Sequence, residues 1–132
     1  PDILFGMEMD VVPHASDGPA LVRLFRFSAA DATAMQGLCR QLFSGAAETV
    51  DLSGQSWMTV SGGVRMAMVV GTADEGVVSD GRGGYLWTLR ADVWEDVADL
   101  IEPLVAEDGH DGYQWLDERG DVYVLMSRTG EW

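Results

Sequence analysis

Five carboxylates, Asp92, Glu95, Asp96, Asp99 and Glu102, stand one, three or four residues apart in a single stretch of the chain. Turned at about 100° per residue, they fall within about 120° of arc, opposite an apolar stripe of Val93, Val97, Leu100, Ile101 and Leu104. Like charges at these spacings repel by about 0.2–0.5 kcal/mol per pair. No Lys or Arg occurs from Ala91 to Glu118 to relieve them. The chemistry this face offers is a field rather than a reaction. A solvated acidic face keeps a protein soluble, and it also steers a basic partner and raises its association rate. The functional expectation is a non-catalytic protein-binding module, immunity- or inhibitor-like, that engages a cationic protein such as a nuclease-type toxin. Glu107, Asp108 and Asp111 extend the acid supply beyond the helix.

Other constellations are weaker. With Gly112 at position 6 of a calcium loop, Glu107 takes position 1, Asp111 position 5 and Glu118 position 12. Position 3 is then Gly109, which cannot ligate, and residues 113–117 read as strand, so no metal or other cofactor is expected. Cys39 lies among apolar helix positions, where a thiol is inert, and no His is near it in sequence. There is no G-x-S-x-G elbow and no H-E-x-x-H. The glycines at 81–84 precede a strand and so cannot present helix N–H groups to a phosphate. His14 and His110 fall in turn-rich segments. Five Trp residues, at 57, 87, 94, 115 and 132, suggest the alternative function. That is a small-molecule binding protein, or a metal-free enzyme, with a sheet pocket lined by Trp87, Trp115, Tyr113, Met66 and Met68. Tyr113, Trp115 and Trp132 could equally form an exposed aromatic patch for a partner.

The whole chain shares the acidity. Its 132 residues carry a net charge of −14, with a sequence pI near 4.1. Residues 1–71 hold seven acids and four Arg, whereas residues 72–132 hold fifteen acids and four Arg. Such a field repels phosphates and anionic lipid, so neither nucleic acid nor a membrane surface is an expected partner. Lys and Asn are absent. A GC-rich bacterial genome accounts for that bias but not for the acid excess, and adaptation to high salt would account for the acids and the missing Lys together. The lone Cys39 cannot form an intramolecular disulfide, and no basic region followed by an apolar run opens the chain, so a cytoplasmic protein is expected. Apolar runs such as Met66 to Val70 are far too short to span a bilayer as a helix.

The elements that must position these residues can be read from period and punctuation. Strands are expected at 2–12, 21–27, 48–52, 57–60, 64–70, 85–90, 113–117 and 122–127, with two tight hairpins between 48 and 70 and another across the turn at 118–121. Helices are expected at 29–43, opened by Ser28 and Asp31, and from Asp92 as cap to a kink or stop at Pro103. Residues 71–84, with five Gly, read as a low-order loop joining possible halves 1–71 and 84–132 of one domain. Shifting the chain by 62 residues superposes Phe25 on Trp87, Phe27 on Leu89, Met35 on Val97, Leu38 on Leu100, Cys39 on Ile101 and Leu42 on Leu104. The expected fold is therefore α+β: a mostly antiparallel sheet with two helices, built as tandem β-α-β-β units. This layout is similar to the paired βαβββ modules of the vicinal-oxygen-chelate fold, to which glyoxalases and bleomycin-binding proteins belong. The resemblance implies a ligand-binding or interaction member, because the His and Glu metal ligands of those enzymes have no counterpart here.

Overall fold

Ser28 and Asp31 open the first helix with a reciprocal cap, the Asp31 N–H donating to the Ser28 hydroxyl and the Ser28 N–H to the Asp31 carboxylate. Helix α1 runs Ala29–Ser44 and stops at Gly45, whose φ of +85° is left-handed and suits glycine. It buries Ala32, Met35, Leu38, Cys39 and Leu42, the apolar side expected of it. Helix α2 runs Ala91–Ile101 and buries Val93, Trp94, Val97, Ala98 and Ile101. Pro103 ends it as expected: the chain continues as one 3₁₀ turn, Glu102–Leu104. The cap is not Asp92, which sits in the first turn. Arg90 is the N-cap residue, and its N–H donates to Asp74 Oδ1 at 2.9 Å, an acceptor sixteen residues away.

The computed structural model describes residues 6–13, 18–106 and 113–130. The strands are β1 (Met7–Val12), β2 (Ala20–Phe25), β3 (Thr49–Asp51), β4 (Met58–Val60), β5 (Arg65–Val70), β6 (Gly76–Ser79), β7 (Gly84–Leu89), β8 (Tyr113–Asp117) and β9 (Val122–Ser127). The fold is α+β, and the sheet is mixed rather than mostly antiparallel. Its order is β3-β5-β7-β6-β9-β2-β1-β4, with β8 paired on β9. Parallel pairs are β1·β4, β2·β9 and β5·β7. The expected hairpin β8–β9 forms, with a bulge between Trp115 and Asp117.

The two hairpins expected between 48 and 70 do not form. Strand β3 pairs directly with β5, and β4 leaves them to lie parallel on β1. Gly6 is what admits β4: its φ is +115°, and a Cβ there would collide with the Trp57 carbonyl, which accepts the Met7 N–H at 2.8 Å. Residues 71–84 also differ from expectation, since they contain β6, with Gly76 and Val77 buried. The sheet is joined between β6 and β9 by a single pair, Val77 with Val122. Among the described residues no helix is long and apolar enough to cross a membrane.

The helices pack against each other, and Gln36, buried between them, donates from Nε2 to the Ala98 carbonyl at 2.9 Å. The core below them includes Met7, Met9, Leu24, Met66, Met68, Trp87 and Met126.

Candidate functional site

Asp92, Glu95, Asp96, Asp99 and Glu102 are all exposed along α2 and the turn that follows it. The helix is turned this way because its other side is claimed by the core: Trp94, fully buried, stacks edge-on against Trp87 with centroids 4.9 Å apart and donates from its indole to the Val69 carbonyl. Five acids are thus brought together as one ridge. Asp92 approaches Arg90 at 3.8 Å, with both side chains at least half exposed. Among the described residues no ion pair reaches Glu95, Asp96, Asp99 or Glu102. Four Arg residues pair with acids outside the ridge: Arg23 with Asp10 at 2.5 Å, Arg26 with Glu8, Arg90 with Asp74 and Arg119 with Asp117. Arg128 donates to the carbonyls of Leu104 and Ala106, closing the C-terminal end that follows α2. Asp74, accepting the Arg90 N–H and then its guanidinium, has its carboxyl held below the usual range.

Beside the ridge lies a depression of about 330 Å³, lined by Leu100 of α2 and by Trp115, Leu116, Asp117, Glu118 and Arg119 of β8 and its turn. Asp117 is buried there. Its carboxylate accepts from the Trp87 indole at 2.7 Å and from the Arg119 N–H at 2.8 Å, and pairs with the Arg119 guanidinium at 3.3 Å. A second depression of about 210 Å³ is lined by Asp51, Arg65, Met66, Ala67, Asp80, Tyr85 and Leu86.

The residues of the small-ligand alternative are not brought together. Trp87, Met66 and Met68 are buried in the core, the first with its indole N–H satisfied by Asp117. Tyr113 and Trp115 alternate with the buried Leu116 and stand on the opposite face of β8. There they form an edge-to-face row with Tyr123, at centroid distances of 6.5 and 6.2 Å. Tyr123 is the member sequence reasoning missed, and its signal was available: on β9 it alternates with Val122 and Val124, which face the core.

Glu107, Asp108, Asp111, His14, His110 and Trp132 lie outside the described residues. Of the calcium-loop pattern only Glu118 is described, exposed after β8. Among the described residues no group of His, Cys, Asp and Glu is arranged to hold a metal ion. Burial pushes the Cys39 thiol up to about 12, which suppresses its nucleophilic form. Set beside protein-family models, curated proteins and solved structures, the chain matches none.

Proposed function

We propose that the chain is a non-catalytic protein-binding module, immunity- or inhibitor-like, whose α2 ridge engages a basic protein. One observation carries this reading: Glu95, Asp96, Asp99 and Glu102 stand exposed and unpaired among the described residues, while Arg23, Arg26, Arg90 and Arg119 pair with Asp10, Glu8, Asp74 and Asp117. Repulsion along the ridge is uncompensated within the chain, so a cation from another molecule is what relieves it. The net charge of −14 speaks against nucleic acid as the partner. A cytoplasmic location is part of the proposal, supported by a lone cysteine that is buried and free.

We also infer a tandem arrangement of β-α-β-β units, each with one strand added in front. Two features support it. Each helix follows one antiparallel strand pair, β1·β2 or β6·β7, and precedes another, β3·β5 or β8·β9. The residues touching where the helices pack, Gln36 and Ala98, are separated by 62 positions, the sequence offset itself.

The test of function is affinity capture from the source lysate at low salt, run in parallel with the wild-type chain and with Asp96→Arg/Asp99→Arg. A basic protein held by the wild type, lost from the variant and released at about 0.5 M salt, where the Debye length is below roughly 5 Å, is the expected result. Equal capture by both, insensitive to salt, overturns the proposal.

A further inference from the structure

We propose that the face of the sheet turned away from the helices is the contact surface between two copies of this chain, packed face to face about a twofold axis. The inference goes beyond the acidic ridge, which stands on the other side of the sheet, and does not depend on it.

Trp87 meets Trp94 of α2 on the covered side, so its strand neighbour Leu86 stands on the other. The pairing register carries that other side across the sheet: Leu86 lies beside Ala67, Tyr123 beside Leu21, and Leu21 beside Val12. Trp115 joins it next to Leu125. The core that both helices share includes none of these side chains. Leu86 is 38% and Tyr113 51% exposed, and Leu21, Trp115 and Tyr123 are half-buried. This is a second apolar surface, and no helix among the described residues packs on it.

Its charge says what it fits. The acids within β1, β2 and β5 to β9 are Glu8, Asp10 and Asp117, and each is paired with an Arg. The surface is therefore close to neutral on a chain of net charge −14. It holds no attraction for a cationic protein, and it is where two such chains meet with least repulsion. The ridge acids stand beyond a helix layer roughly 10 Å thick, more than the Debye length of about 8 Å at physiological salt, so they oppose this contact little. A twofold contact also requires a surface that complements itself. Among the described residues the Trp115 indole N–H and the hydroxyls of Tyr113 and Tyr123 make no hydrogen bond. An indole donates, and a phenol both donates and accepts, so the row on one copy answers the same row on the other, ring edges meeting ring faces. At about 16 Å² of sheet per residue, these seven strands present roughly 600 Å². Two copies together then cover about 1,200 Å², where the range of specific, stable interfaces begins.

The experiment is sedimentation velocity of the full chain from about 1 µM to about 100 µM, the weak end of the affinities that such an area gives. A mass that rises to twice the 14.3 kDa of the chain is expected. The dimer should persist at about 0.5 M salt, where the Debye length is below roughly 5 Å, because its contact is apolar. Leu86→Glu/Tyr123→Glu places unpaired charge on the surface and should weaken association about tenfold or more. Tyr113→Lys, at a more exposed position, should weaken it as well and serves should the double variant lose its near-UV circular dichroism. Asp96→Arg/Asp99→Arg, on the other side of the sheet, should leave the dimer in place. A wild type at monomer mass throughout overturns the proposal and leaves the face to a partner of other chemistry. A dimer that survives charge on this face, or that Asp96→Arg/Asp99→Arg abolishes, overturns it too. The capture experiment judges the ridge separately.

Discussion

Asp117 is the residue through which several parts of the molecule meet. Its carboxylate is buried at 3% exposure and holds the Trp87 indole, the Arg119 N–H and the Arg119 guanidinium. Removing one partner of a buried polar pair leaves the other unsatisfied, so Asp117→Ala should cost about 2–4 kcal/mol in urea denaturation, and Asp117→Asn, which keeps an acceptor for the indole, clearly less. Equal losses would mean that the carboxylate's charge, rather than its hydrogen bonds, secures Trp87. Cys39 gives a pH signature. Its thiol is raised from an ordinary value of 9.0 to about 12 because burial disfavours the thiolate. Below pH 9 both folded and unfolded chains keep the proton and this group contributes no pH dependence. Between 9 and 12 the unfolded chain releases a proton that the folded chain retains, so stability falls with rising pH by about 1.4 kcal/mol per unit. Urea midpoints measured from pH 8 to 10.5 should show this slope in the wild type and lack it in Cys39→Ala.

At the scale of elements, both helices were legible because their signals are local. The Ser28–Asp31 cap, the apolar spacing of Met35, Leu38, Cys39 and Leu42, and the stop at Pro103 all lie within a few residues of what they control. What was not legible depends on distant partners. Asp74 engages Arg90 across sixteen residues, and the Trp57 carbonyl needs Gly6 to approach β1. In the proposed 62-residue register, Phe25 and Trp87 do not occupy equivalent places, for a similar reason. Arg26 adopts a φ of +53° and adds a residue between the buried Leu24 and Phe27, so Phe25, unlike its counterpart Trp87, is not buried. The acidic ridge was legible from helical spacing, whereas the groove beside it needs β8 placed against α2, which no local pattern encodes. The ridge also carries its own prediction. Asp99 and Glu102 sit at the end of α2 that the helix dipole makes negative. Replacing Glu102 by Lys removes a repulsion and places a favourable charge there, so thermal melts should rise by a few degrees at low salt and by less at high salt. A stabilising substitution that weakened partner capture would indicate that the ridge is retained for binding rather than for folding.

The whole molecule ties its two ends together through exchanged strands. Ala20 pairs with Val122, so β9 of the second half lies parallel on β2 of the first, and Arg65 pairs with Gly84, so β5 of the first lies parallel on β7 of the second. Strands such as β2 and β7 therefore find neighbours on both sides only when both halves are present. Within the second half, β6 also meets the turn before β9, where a Cβ on Gly76 would collide with the Gly120 backbone and one on Gly120 with the Val77 backbone. The Gly-rich stretch in the middle of the sequence is therefore a seam in composition but not in cooperativity. Fragments 1–71 and 72–132 should each show little fixed tertiary structure alone, by near-UV circular dichroism and amide dispersion. Mixed at equal concentration, they should recover the Trp87 and Trp94 environment of the intact chain, slowly, because the pairings that stabilise each half are non-local. A single fragment that folds cooperatively by itself would show that the parallel pairings are accessory, and that each helix with its own antiparallel strands is the unit that stabilises the fold.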